Sequence, residues 1–86
     1  MGEDRKLLLF GTAGCHLCED AALLLRRTLA PRGDGEPFAY VDIADDSELT
    51  DRYGVRIPVL LDIRTGIELD WPFDVDKVLD FLRSLP

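Results

Sequence analysis

What most constrains this chain is a short apolar run, a glycine-bearing loop, and then two cysteines at the head of an amphipathic stretch. Lys6-Leu7-Leu8-Leu9-Phe10 is apolar after its first residue and ends at Gly11, the pattern of a strand buried on both faces. Gly11-Thr12-Ala13-Gly14 follows as a loop. Beyond it Leu17, Ala21, Leu24, Leu25, Thr28 and Leu29 recur at spacings of three and four, a stripe that packs a helix against a sheet. Cys15-His16-Leu17-Cys18 therefore lies where this helix begins. Cys15 falls among backbone N–H groups that lack intrahelical partners, at the positive end of the helix dipole. That setting favours the thiolate, which is the attacking species. Cys18, on the same side of the first turn, can close a disulfide with Cys15, one thiol exposed as nucleophile and the other sheltered to resolve the intermediate. His16, when protonated, adds to the thiolate preference, and Glu19 and Asp20 oppose it.

The remaining elements follow by the same reading. Pro31 and Gly33 to Gly35 end the first helix. Phe38-Ala39-Tyr40-Val41-Asp42 reads as a second strand. Asp45 is expected to cap a short helix through Leu49 and Tyr53, with Glu48 in capping-box position and Gly54 as a left-handed C-terminal cap. Ile57 to Asp62 and Ile67 to Trp71 flank an Arg64-Thr65-Gly66 turn and read as a β-hairpin. Asp74 caps a last helix whose apolar positions are Val75, Val78, Leu79, Leu82 and Leu85. The order β-α-β-α-β-β-α predicts an α/β sandwich of three layers, with a four-stranded mixed sheet covered on both faces.

Eighty-six residues, 47% of them hydrophobic and 31% charged, make one small globular domain spanning residues 1–86. A net charge of −7 with scattered Lys and Arg argues against nucleic acid and anionic membranes, both of which need clustered cations. The N-terminus Met1-Gly2-Glu3-Asp4-Arg5-Lys6 is charged, and Leu7 to Phe10 is too short for a signal peptide or a span. A cytoplasmic monomer is expected. In a reducing compartment a C-x-x-C pair points to redox chemistry or metal binding more than to a structural staple. A zinc site needs two ligands beyond the C-x-x-C pair, and the chain offers no other Cys and no His outside that motif. A dimer pooling two C-x-x-C motifs around zinc or an iron–sulfur cluster is therefore one alternative, and a redox-inert adaptor is another. No resident metal or cofactor is expected.

Pro58 opens the third strand, a position that tolerates proline. With the upstream cysteines it gives the chain a resemblance to the glutaredoxin-like branch of the thioredoxin superfamily. Cys15-His16-Leu17-Cys18, Val55-Arg56-Ile57-Pro58-Val59-Leu60 and Glu68-Leu69-Asp70-Trp71-Pro72-Phe73-Asp74 look like the corresponding segments of a small bacterial glutaredoxin-like family. The resemblance implies a thioredoxin-like fold, a cis Pro58 facing the cysteines, and an Ile57 backbone free to pair with an incoming peptide. It also implies thiol–disulfide exchange with a disulfide-containing protein or a small thiol. The departures bear on the partner. Trp71-Pro72-Phe73-Asp74 stands where glutathione-using relatives carry Gly-Gly-Asp, Gly11 and Thr12 stand where many carry a lysine, and Leu9 replaces the buried Asp of thioredoxins. Glutathione is thus a candidate reductant that the resemblance does not carry over. By the expected topology Trp71, Pro72 and Phe73 return to the rim that holds Cys15, as a cleft wall or as core. Asp74 would then set a helix N-terminus near the thiols, suited to a substrate carboxylate.

Overall fold

A computed structural model describes residues 6–29 and 37–86; the expected break at Pro31 and Gly33 to Gly35, and Met1 to Arg5, lie outside the described residues. The elements are β1 (Leu7–Gly11), α1 (His16–Thr28), β2 (Ala39–Asp42), α2 (Ser47–Tyr53), β3 (Val59–Asp62), β4 (Glu68–Asp70) and α3 (Val75–Ser84). They follow the predicted order, and the sheet runs β2-β1-β3-β4. β1 pairs parallel to β2 and antiparallel to β3, which pairs antiparallel to β4.

The apolar run of β1 has partners on both sides of the sheet. Leu7, Leu9 and Leu60 are buried with Ala21, Leu25, Phe73, Val78 and Phe81, beneath α1 and α3. Phe10 and Val59 point the other way and pack with Ile43 and Tyr53 of the α2 layer. The pleat thus divides one hydrophobic run between two cores.

Several local expectations are corrected. The α2 cap is Asp46, whose carboxylate accepts the Glu48 and Leu49 N–H groups at 3.0 and 3.1 Å, not Asp45. Shifting the cap by one residue moves Glu48 out of the capping box. We expect Asp46→Ala to cost about 1 kcal/mol in chemical denaturation, and Asp45→Ala to leave the midpoint where it is. Equal effects at the two positions would contradict this placement. Gly54 is right-handed helical (φ −54°), and its glycine is required because a Cβ there would press on the Thr50 carbonyl. Leu17 and Val75, expected on inward stripes, are 49% and 43% exposed, while Phe81, which the apolar stripe omitted, is buried. β3 begins at Val59 and β4 covers only Glu68–Asp70. The hairpin between them is closed by Asp62, whose carboxylate takes the Thr65 N–H and hydroxyl at 3.1 and 2.7 Å.

Candidate functional site

The register brings the segments that carry Cys15, Pro58 and Trp71 to one rim. Phe10 stands opposite Val59, and Val59 opposite Asp70. The end of β1, the start of β3 and the end of β4 are therefore neighbours, and α1 and α3 both begin at this rim. Cys15 is the N-cap of α1, with extended backbone (φ −94°, ψ 108°), delivered by a turn at Gly14 with φ +78°. Its sulfur accepts the Cys18 N–H at 3.1 Å, so one of the helix's unpartnered donors is directed at it. Cys15 and Cys18 are joined as a disulfide with Cα atoms 5.2 Å apart, well within the span that a disulfide allows. The two differ in access: Cys18 is fully buried and Cys15 is half-buried.

His16 is 95% exposed and lies 3.9 Å from Glu19 through Nδ1, so it faces solvent beside the pair. The Ile57–Pro58 peptide bond is cis, as is Trp71–Pro72. Pro58 is fully buried, and its carbonyl accepts the Trp71 N–H at 3.3 Å. The Ile57 N–H is engaged, donating to the Tyr53 carbonyl at 3.0 Å. Of the backbone groups expected to meet a peptide, the Ile57 carbonyl is the one that no described group occupies. Trp71 is half-buried against the α1/α3 core and meets Phe73 edge-on at 5.0 Å between ring centres. Phe73 is 4% exposed, so it lies beneath the wall rather than on it, because α3 closes over it. Asp74 does cap α3, accepting the Lys77 N–H at 2.9 Å. Its own carboxylate already occupies that helix N-terminus, which opposes a second anion there.

Two further sets of residues at this rim escaped the sequence reading. Arg56 Nη2 reaches Glu68 and Asp70, both at 2.7 Å, and the Tyr53 hydroxyl donates to Glu68 at 2.6 Å. These bonds tie the segment before Pro58 to β4. On the other side, Tyr40 and Asp42 of β2 contact the loop that precedes Cys15. Their signal in the sequence was the i, i+2 spacing on a strand parallel to β1, which places both on the α1 side. Among the described residues no three of His, Cys, Asp or Glu are arranged to hold a metal ion, and no described helix is long and apolar enough to cross a membrane.

The family model described as Glutaredoxin-like domain (DUF836) matches residues 6–83. The chain belongs to this glutaredoxin-like family. Among solved structures, it is similar to the crystal structure of a structural-genomics target, protein XcR50 from X. campestris. That match has 41% identity and a TM-score of 0.74 over 93% of this chain and 99% of the other. The solution structure of the same target gives 41% identity and a TM-score of 0.72, over 94% and 96% of the two chains. Protein Ne2328 from Nitrosomonas europaea, solved by NMR, is 28% identical with a TM-score of 0.67 over 94% of each chain. A search of curated proteins returned no match. The fold is thus the three-layer α/β sandwich that the element order predicts, of the thioredoxin-like kind that the resemblance implies, and the cysteine pair supports a thiol redox role.

Proposed function

We propose that this glutaredoxin-like chain is a dithiol thiol–disulfide oxidoreductase. The observation that carries the reading is a bonded C-x-x-C pair at a helix start with one sulfur accessible and the other fully buried. In the reduced protein the Cys15 thiolate attacks one sulfur of a partner disulfide. A Cys15–partner bond forms, and the partner's other sulfur leaves as a thiolate that takes up a proton. Cys18, deprotonated, then attacks the Cys15 sulfur, the second partner thiol leaves, and the Cys15–Cys18 disulfide forms. A thiol reductant restores the pair in a reducing compartment such as the cytoplasm, with glutathione one candidate. His16 adds positive charge near Cys15 when protonated. The Ile57 carbonyl, beside Pro58, offers an acceptor to the partner's backbone, and Trp71 supplies apolar surface. The partner is a disulfide-containing protein or a small disulfide.

The test is a Cys18→Ser variant incubated with cell lysate and, separately, with glutathione disulfide, then examined by non-reducing electrophoresis and mass spectrometry. Adducts reversed by a strong thiol reductant and absent from Cys15→Ser are the expected outcome. A Cys18→Ser protein that forms no mixed disulfide in either incubation would sink the enzymatic reading.

A further inference from the structure

The loop that carries Cys15 is held from the β2 side, opposite Pro58. Tyr40 and Asp42 pair in register with Leu9 and Gly11, so both side chains point toward α1 at the sheet edge. The Tyr40 hydroxyl donates to the Thr12 carbonyl at 3.1 Å. The Thr12 hydroxyl donates to Asp42 Oδ1 at 3.1 Å, and the same oxygen takes the Ala44 N–H at 2.9 Å. The Ala44 N–H foremost, with the Thr12 hydroxyl and the Ala13 N–H, holds the Asp42 carboxyl below its ordinary range, so it is an anionic acceptor at neutral pH. Thr12 is thereby gripped at its carbonyl by one β2 residue and at its hydroxyl by another, three positions before Cys15.

Gly11 connects this clamp to the second thiol. A Cβ at Gly11 would run into the Tyr40 phenol and come within 3.0 Å of the Cys18 Cβ. Phenol, glycine and Cys18 are therefore packed in sequence with no space between them. A cavity of about 360 Å³ between β2 and α1, lined by Thr12, Gly14, Glu19, Arg26, Tyr40 and Asp42, opens beside the same loop. Truncating the phenol would join that space to the back of Cys18.

We propose that Tyr40, with Asp42, is a positioning residue for the cysteine pair. It fixes the Thr12–Gly14 loop that delivers Cys15 and closes Cys18 off from the β2 side. This rests on the dithiol reading and adds what sets the pair's redox equilibrium. Cys18 is carried by the helix, whereas Cys15 sits at the joint between loop and helix, so the loop's freedom becomes the freedom of the Cys15 sulfur. The rate and equilibrium of ring closure depend on the effective concentration of one sulfur at the other, and that concentration falls as the attacking geometry loosens.

The reaction that reads this quantity is exchange with glutathione. One glutathione thiolate attacks the Cys15 sulfur, the Cys15–Cys18 bond breaks, and Cys18 leaves as a thiolate and takes up a proton. A second glutathione thiolate attacks the glutathione sulfur of the mixed disulfide, giving glutathione disulfide and the Cys15 thiolate. Wild type, Tyr40→Phe, Tyr40→Ala and Asp42→Asn are equilibrated in buffers of graded glutathione and glutathione disulfide, acid-quenched, alkylated and weighed. Tyr40→Phe and Asp42→Asn should each lower the effective concentration about threefold to tenfold, the ratio that one hydrogen bond of ordinary net strength sustains. In the reduced proteins Cys18 should alkylate faster in Tyr40→Ala than in wild type, and at the wild-type rate in Tyr40→Phe, whose ring still covers Gly11. Thr65→Ala, which removes a bond at the far end of β3, controls for stability lost away from the site and should leave the redox equilibrium in place. Redox equilibria unchanged in Tyr40→Phe and Asp42→Asn would overturn the proposal, and both variants retain enough of the original side chain to fold. A wild type that never interconverts with the glutathione couple would instead count against the dithiol reading itself.

Discussion

Cys15→Ser is expected to reduce exchange of a small chromogenic disulfide to the rate seen without protein, whereas Cys18→Ser should still attack it once and then stop. The difference follows from access. The Cys15 sulfur is half-buried at the sheet rim and already accepts an N–H from the first turn of α1. The same donor would stabilise the negative charge of a thiolate. Cys18 has no exposed surface, so a bulky disulfide cannot reach it, and its route into the reaction is attack on the neighbouring sulfur. A serine hydroxyl at position 15 keeps the hydrogen bond but is not ionised at neutral pH, so geometry survives and nucleophilicity does not. The released thiol, followed by absorbance, should show a single stoichiometric burst for Cys18→Ser and no burst for Cys15→Ser. Bursts of equal size from the two variants would mean that the buried sulfur is reachable, and the assignment of roles would fall.

The fold was legible because the order of its elements is clear, even where the helix stripes misplaced Leu17, Val75 and Phe81. Leu7 to Phe10 could be a strand buried on both faces, and the two cores divide that run by alternate residues. The cysteine site was legible for a related reason: a strand, a glycine loop and a helix start leave little choice about where Cys15 stands. What escaped were features set by tertiary contacts. Asp45 and Asp46 are chemically the same cap, and the choice between them depends on where the chain leaves β2, a matter of one residue that composition does not encode. Phe73 could be wall or core, and it became core because α3 folds over it. Ile57 appeared free to meet a peptide, yet the turn after α2 brings its N–H to the Tyr53 carbonyl. Tyr40, Asp42, Arg56 and Glu68 are ordinary polar residues in the chain. Only the strand register sets them against the cysteine loop or the Pro58 segment.

Arg56→Ala should have the larger structural consequence, because one guanidinium joins three parts of the rim. Arg56 bonds Glu68 and Asp70 at 2.7 Å each, and its guanidinium lies 5.2 Å from the centre of the Tyr53 ring. Tyr53 in turn stacks on Phe10 at 4.4 Å. Removing Arg56 leaves two carboxylates of β4 on the same face without their shared cation, next to the segment that presents Ile57 and Pro58. With the guanidinium about one-third exposed (33%), solvent screening reduces the loss to about 1–2 kcal/mol. For a domain of this size, at about 4–8 °C per kcal/mol, that lowers Tm by about 4–16 °C. The same cluster sets a pH window. The Tyr53 O–H foremost, and then Arg56, hold the Glu68 carboxyl below its ordinary value of 4.5. The unfolded chain therefore binds more protons there, and the stability due to Glu68 is complete above pH 4.5 and is lost as pH falls below it. Burial and the neighbouring Glu68 push the Tyr53 phenol above its ordinary 10.0, so its contribution is complete below pH 10 and is lost as pH rises beyond it. Thermal melts from pH 3 to 11 should therefore show a shallower acid limb in Glu68→Gln and a shallower alkaline limb in Tyr53→Phe. Arg56→Ala should lower the plateau between the two limbs. An Arg56→Ala plateau within about 1 °C of wild type, a small fraction of the shift that 1 kcal/mol produces, would show that the two ion pairs and the Tyr53 ring contact contribute nothing net. The Pro58 wall would then have to be held by the Trp71–Pro58 and Ile57–Tyr53 backbone bonds alone.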